Sequence, residues 1–562
     1  MIDRPHLKPL GECLIEAGHL TTDQLRVALH DQRSNPRRLG RILTDMGFIG
    51  ERALLETLSK TLARPAVDLW KRPISQEALD ALPKELARRH RILPLAFDRI
   101  RRHLEIAVSN PHDLTALASI KATLGDEISI ETRLASEQAL DHALEHHYGQ
   151  DDAIQQLLHS TEAPPAVPHD TVAVRMIDHL LREALYQGAS DLHFEPDANC
   201  LRIRYRIDGL LRPMHLLHAS LWPAMSIRLK VLGGLNIAET RLAQDGQCAM
   251  RQAGLDAEFR IACMPTLHGE SIVLRIIDKH RQHPALDTLG LSAGELSELK
   301  RLLQRPEGML LVTGPTGSGK SSTLYAALAH LKDPSVSIMT LEDPVEHTLP
   351  GIRQTALGES AKLDFASGIR ALLRQDPDIL MIGEIRDSET AQMAFRAALT
   401  GHLVLSTLHA GATTAALPRL YDLGVSGETL ANSLTGILAQ RLLRQLCSHC
   451  TKPRTPTPAE QARFITAGIQ PPQAVYSAGQ CPQCAQQGYR GRRAILEILA
   501  MDPQLSALIS QQAGLSAIRQ HAAKSGMVTL EQRALQCAAA GHTTLEEVER
   551  VIGPPCGFAT AP

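Results

Sequence analysis

Aromatic residues are scarce in this chain: among 562 residues there are 2 Trp, 7 Tyr and 8 Phe. No basic, aromatic-rich segment occurs, which counts against direct contact with nucleic acid. An excess of either charge is also missing. Lys plus Arg is 59 and Asp plus Glu is 61, a formal net charge of −2, so no global field draws the chain to nucleic acid or anionic lipid. No apolar run approaches the roughly 18 residues of a membrane-spanning helix. The first twenty residues are charged, are broken by Pro5 and Pro9, and lack the apolar region of a signal peptide. These absences predict a cytoplasmic chain whose 10 cysteines stay reduced. Six of the ten are scattered and read as small buried hydrophobes. An apolar content of 44% and the length together support three or four globular domains.

What is present begins with a repeat. A shift of 29 positions aligns Leu10, Gly11, Leu14, Gly18, Leu25 and Leu29 with Leu39, Gly40, Leu43, Gly47, Leu54 and Leu58. Two units, 9–32 and 38–61, each read as a short apolar helix, a glycine that ends it, and a second helix. The remainder of 1–150 is mixed α/β, with a strand at Leu104–Val108 and a helix from Ser136 to His147. Three prolines in Thr161–Pro168 mark a linker, 151–170. Strict alternation over Leu201–Asp208, with a turn at Asp208–Gly209, places a half-buried strand in a small α+β domain, 171–285. From 286 to 553 helices and buried strands alternate, as in an α/β layer with a parallel sheet. The segment 554–562 reads as a disordered tail.

Met309–Thr313 is a buried strand followed by Gly314-Pro315-Thr316-Gly317-Ser318-Gly319-Lys320-Ser321-Ser322 and a helix. This is the phosphate loop G-x-x-x-x-G-K-[ST] in its confirming context: glycines turn backbone N–H groups around a polyphosphate, and the helix N-terminus adds partial positive charge. Lys320 is expected on the β- and γ-phosphates of ATP and Ser321 on Mg²⁺. Two further strands end in acids, Ser337–Glu342 and Ile379–Ile382 followed by Gly383-Glu384. Two acids at adjacent strand ends can divide the work, one on the metal and one polarising water. A third strand, Leu403–Thr407, leads to His409 as a γ-phosphate sensor.

Cys447-x-x-Cys450 and Cys481-x-x-Cys484 can supply four thiolates to one tetrahedral ion with no open position. Zn²⁺ is the default, with iron–sulfur as the alternative. The intervening 451–480 shows little core of its own and is expected to depend on the metal for its fold. The ATP site is expected on other strands.

In combination these segments resemble the ATPases of type II secretion and type IV pilus assembly. The four signature segments are GPTGSGKSS (314–322), MTLEDPVEH (339–347), ILMIGEIRDSETA (379–391) and TGHLVLSTLHA (400–410), preceded by ASDLHFEP (189–196) and YRIDG (205–209). The resemblance implies a RecA-like core (286–553) with a zinc element (445–490), behind a PAS-like α+β domain. It also implies a cytoplasmic homohexamer, held at the inner membrane by platform and docking proteins, that hydrolyses ATP to assemble pilins or pseudopilins. By the same resemblance Glu342 activates water, Glu384 partners Mg²⁺, and His402 and His409 are the two imidazoles of the last segment. Arg260 and Arg275, followed by Arg206 and Arg212, bring cations to the γ-phosphate; Arg202 and Arg204 read as a solvated strand face. The N-terminal repeat resembles a cyclic-di-GMP-binding domain whose units open with Arg-Leu-Gly and close with Gln. Here Arg38 and Gln32 are kept, while Pro9 and Thr61 stand at the matching positions. A nucleotide-responsive adaptor and a DNA-transfer ATPase are the alternative functions; near-neutral charge counts against the second.

Overall fold

The computed structural model describes residues 8–34, 37–62, 64–69, 72, 74–111, 113–125, 127–148, 169–252, 255–278, 285–357 and 364–554. The Pro-rich linker expected at Thr161–Pro168 and the tail beyond Pro554 lie outside them. The chain divides into two units, Met1–Arg281 and Gln282–Pro562.

The repeat folds as two helical hairpins, Leu10–Glu16 with Thr22–Ser34 and Leu39–Asp45 with Glu51–Leu62. Its glycines have a packing cause. A Cβ on Gly11 would lie 2.6 Å from the Leu25 side chain, and one on Gly40 would lie 3.0 Å from that of Leu54. Each unit thus pairs a glycine with a leucine fourteen positions on. Leu14, Ala28, Ile42 and Leu43 are fully buried between the hairpins. After them, β1 (Ile92–Asp98), β2 (His103–Val108) and β3 (Ser129–Leu134) form one sheet in that order. β2 and β3 are parallel, joined through the helix Leu114–Leu124.

The rest of this unit is a six-stranded sheet made of β4 (Ala189–Pro196), β5 (Cys200–Ile207), β6 (Leu210–His218), β7 (Gln244–Gln252), β8 (Leu255–Thr266) and β9 (Gly269–Asp278). Its order is β6-β5-β4-β9-β8-β7, and every neighbour is antiparallel. The turn at Asp208–Gly209 has both residues at positive φ, 49° and 84°. That is the backbone a two-residue hairpin requires, and Gly enters it freely. The helices His169–Tyr186 and Trp222–Leu232 share a core with Phe194, Tyr205 and Phe259. Inside it the Lys230 ammonium, 1% exposed, meets Glu270 at 2.7 Å.

In the second unit β10 (Gly308–Thr313), β11 (Ile338–Glu342), β12 (Arg353–Ala356), β13 (Ile379–Ile382), β14 (Leu403–Leu408) and β15 (Leu434–Leu446) are parallel. β16 (Lys452–Arg454) and β17 (Val475–Ser477) form a separate ribbon, and β18 (Tyr489–Ala500) runs antiparallel to β15. The main sheet has the order β12-β11-β13-β14-β10-β15-β18. β10, β11, β13 and β14 are buried along their whole lengths, which is why they read as apolar runs without alternation. Met309 and Leu311 enter one core, Leu310 and Val312 the other, so helices cover both faces.

Two expectations are corrected here. Among the described scattered cysteines only Cys263 is buried; Cys13, Cys200, Cys248 and Cys537 are half-buried. Cys248 lies on the edge strand β7 and Cys200 opens β5, positions that keep one side near water. The segment 451–480 also has a core. Its helix Pro458–Thr466 buries Phe464 completely, in one cluster with Val475, Leu535 and Val548.

Candidate nucleotide and metal sites

The phosphate loop leaves the C-terminal end of β10 in the middle of the parallel sheet, and the helix Lys320–Leu331 starts directly after it. Gly317 and Gly319 have φ of 77° and 86°, the left-handed region that glycine enters without strain. The Lys320 ammonium folds back on the loop and donates to the carbonyls of Gly314 (3.0 Å) and Pro315 (3.1 Å). Burial pushes its pKa down, the Glu384 carboxylate pulls it up, and Arg441 adds to the lowering. Ser321 is half-buried and Ser322 exposed, on the first turn of the helix. Pro315, Thr316 and Gly317 are exposed, whereas Ser318 is buried.

The strands on one side of β10, namely β14, β13 and β11, bring the acids and one histidine to the same edge of the sheet. Glu384 follows β13; its Oε1 takes Arg386 at 2.5 Å and its Oε2 lies 3.6 Å from Nε2 of His409. Glu342 ends β11 and is 4% exposed. Its carboxylate accepts from Tyr325 Oη, from Thr340 Oγ1 at 2.5 Å and from Gln354 Nε2 at 3.1 Å. Burial, and then the bond to Glu342, push the Tyr325 phenol well up.

His402 falls elsewhere. It precedes the first residue of β14, and its carbonyl accepts from Gly308 N at 3.0 Å, at the start of β10. The six residues of β14 span roughly 20 Å, so His402 and His409 stand at opposite edges of the sheet. His402 is therefore not part of this chain's phosphate site; its ring lies 3.0 Å from the Ala397 carbonyl.

Arg206, Arg260 and Arg275 lie in one row across the first unit's sheet. Asp191 on β4 is paired with Arg206 on β5 and Arg275 on β9, and Arg275 with Arg260 on β8. Asp191 Oδ1 takes Arg275 Nε at 3.1 Å, and Oδ2 lies 3.6 Å from Arg206 Nε. Arg212 does not join them. It is registered with Tyr205, whose side chain faces the helix-covered core, and alternation along a strand puts it on the other face from Arg206. Arg202 and Arg204 pair with Asp197 and Glu195.

The four cysteines converge. Cys447 and Cys481 Sγ are 3.7 Å apart, as are Cys450 and Cys484, and Cys481 and Cys484 are 3.6 Å apart. A tetrahedral ion with Zn–S bonds of about 2.3 Å requires about 3.8 Å between sulfurs, so the donor set fits Zn²⁺. Gly479 packs so tightly that a Cβ would lie 2.0 Å from the Cys450 carbonyl oxygen. Burial works against the Cys484 thiolate, but the N–H of Gly488, 3.1 Å from Sγ, and neighbouring donors bring that thiol down to about 6. Burial and the surrounding thiols push Cys450 up to about 12. The cluster and the phosphate loop follow different but adjacent strands: β15 pairs with β10 and ends at Leu446, next to Cys447.

Sequence reasoning passed over Gln440 and Arg441 on that strand. Arg441 donates to the Gly411 carbonyl at 2.8 Å, fixing the segment after His409. The only signal for either was a polar pair within a buried run.

This sheet order, with a phosphate loop between its first strand and the following helix, defines a RecA-like P-loop ATPase core. Residues 168–550 match the family described as type II/IV secretion system protein, and residues 62–154 match the MshEN domain. The chain belongs to the type II/IV secretion system protein family and is an ATPase of that family. It is 38% identical to the type IV pilus assembly ATPase PilB of Myxococcus xanthus, covering 96% of this chain and 98% of that one. It is 36% identical to the type II secretion system protein E of Xanthomonas campestris pv. campestris, over 96% and 97%. The Legionella pneumophila ATPase DotB shares the fold, with a TM-score of 0.52 at 20% identity, over 69% of this chain and 97% of that one.

Proposed function

We propose that this chain is a hexameric motor that spends ATP on the assembly of pilins or pseudopilins. The observation that carries the reading is the meeting of Lys320, Glu384 and His409 at one sheet edge, in a chain alike over nearly its whole length to a pilus assembly ATPase and to a secretion protein E. Lys320 and the loop N–H groups bind the β- and γ-phosphates. Ser321 and Glu384 would hold Mg²⁺, which supplies positive charge at the phosphate oxygens. Glu342 orients the attacking water, and His409 reads the γ-phosphate. Arg206, Arg260 and Arg275 add the cations that a charge-spread transition state demands. Zn²⁺ sits on Cys447, Cys450, Cys481 and Cys484 as a structural clip. The six-stranded domain ahead of the core is of PAS-like type.

No described helix is long and apolar enough to cross a membrane. We place the chain in the cytoplasm, at the inner membrane, through platform and docking proteins. For the helical repeat we infer cyclic-di-GMP as a regulatory ligand. Arg38, with 61% of its side chain exposed, is paired with Glu137, and Gln32 Nε2 donates to the Arg37 carbonyl at 2.7 Å. The cavity that Arg38 lines holds about 120 Å³, below the roughly 300 Å³ of small ligand pockets, so this ligand would lie along the helices. ATP turnover by the purified chain, measured by phosphate release with Mg²⁺, tests the motor reading. Absence of turnover in the intact hexamer would overturn it.

A further inference from the structure

We propose that Gln440 is the positioning residue of the phosphate loop, so that ATP affinity is set from β15 as well as from the loop itself. Register places Thr313, the last residue of β10, opposite Ala439; Gln440 is the first residue of β15 beyond the end of its neighbour. Its side chain is buried, 1% exposed, and engages the loop from beneath. Nε2 donates to the Ser318 carbonyl at 2.9 Å, and Oε1 accepts from the Thr323 hydroxyl at 2.7 Å. One amide therefore ties the loop to the first turn of its helix.

The tie has a directional consequence. In a trans peptide the C=O and the next N–H lie in one plane and point in opposite directions. Drawing the Ser318 carbonyl toward Gln440 turns the Gly319 N–H away from it, and so toward the concave side where phosphate oxygens are bound. The same residue explains two of the loop's glycines. A Cβ on Gly314 would lie 2.7 Å from the Gln440 carbonyl oxygen, and one on Gly319 would lie 2.9 Å from Nε2. The loop is shaped against this residue, and a buried amide with both ends bonded has no freedom to release it.

The inference rests on the loop being the ATP site, and one assay on the full chain separates the two claims. Steady-state hydrolysis with Mg²⁺ is compared for the wild type, Gln440→Met, Thr323→Val, Gln440→Glu and Leu443→Ala. Met fills the same volume without the bonds and should raise KM for ATP about tenfold, with kcat lowered less. Thr323→Val leaves the Ser318 bond and should raise KM about threefold, which also serves if Gln440→Met does not fold. A Glu at 440 keeps both bonds only while protonated, so its KM should climb with rising pH more steeply than the wild type's. Leu443→Ala, a buried apolar truncation on the same strand, should lower the melting temperature and leave KM unchanged. A folded Gln440→Met with wild-type KM, a Gln440→Glu whose KM follows the wild type's pH dependence, or a Leu443→Ala that raises KM equally would each overturn the positioning role. A wild type without turnover would overturn both readings.

Discussion

Glu384 and His409 face each other from the ends of neighbouring strands, Oε2 to Nε2 at 3.6 Å, and the other carboxylate oxygen takes Arg386. The Glu384 side chain remains 16% exposed, an acid presented to whatever occupies the sheet edge. Glu342, one strand further on, is enclosed by three donors. The two acids thus differ in kind, although the sequence presents both as a carboxylate after an apolar run.

Replacing Lys320 by Ala should abolish ATP turnover, by at least about a hundredfold, since one cation aimed at developing charge contributes that much or more. The ammonium's own bonds are to two loop carbonyls, so the fold should survive. A melting curve close to the wild type's, with hydrolysis gone, is the expected pair of results.

Glu342→Gln should retain nucleotide binding and lose turnover. It should also cost about 1–3 kcal/mol of stability, because an amide nitrogen replaces one of two acceptor oxygens in a buried cluster. Glu384→Gln should weaken Mg²⁺-dependent binding with little change in stability. Titration with a fluorescent ATP analogue, alongside thermal unfolding, distinguishes the two; exchanged outcomes mean exchanged roles.

Elemental analysis should find one zinc per chain, lost in Cys447→Ser and in Gly479→Ala, where the new methyl group meets the Cys450 carbonyl. Chelation should loosen the turns that carry the cysteines and leave the helix Pro458–Thr466 protected in hydrogen exchange, since Phe464 is held by its own core. Loss of protection across that helix would contradict this.

The C-terminal helix Leu545–Ile552 is docked by Glu547, whose side chain is fully buried and bonds Arg444 and Arg550. Burial disfavours its charge, but the two guanidiniums and the Arg444 N–H outweigh burial and lower the pKa below its ordinary 4.5. A depressed carboxyl pKa stabilises the fold above the unfolded value and loses that contribution as pH falls through the folded one. The melting temperature should therefore drop steeply below about pH 4.5. Glu547→Gln should remove that acid-sensitive component and cost about 2–3 kcal/mol at neutral pH.

Cyclic-di-GMP should bind the intact chain by calorimetry, and Arg38→Ala should remove the heat. Because Arg38 is paired with Glu137, Glu137→Gln should tighten binding a few-fold by freeing the guanidinium. No heat at submillimolar ligand would leave the repeat as a docking module.

The phosphate loop, the acids and the cysteine pairs were legible because each is fixed by short-range spacing. The repeat was legible as periodicity, yet the reason for Gly11 and Gly40 was not, since it lies in contact with Leu25 and Leu54. His402 illustrates an error the sequence could have prevented. It lies seven residues before His409, with β14 between them, and a strand of that length separates its ends by the depth of the sheet. Gln440 left no comparable trace. A single amide in a buried strand acquires meaning only when the loop it holds, 122 positions earlier, is seen beside it.

β15 outlasts its partner. β10 stops opposite Ala439, while β15 continues to Leu446 with β18 along one side. An unpaired stretch of backbone is a template for pairing with other chains, and here it is closed without a strand. The phosphate loop lies against Gln440. Further on, Glu547 takes the Arg444 N–H, Thr543 the Arg444 carbonyl, and the His542 carbonyl the Leu446 N–H. A loop shaped to bind nucleotide thereby also covers the first residue of a sheet edge, and a variant that opened it would add a tendency to aggregate to the loss of catalysis.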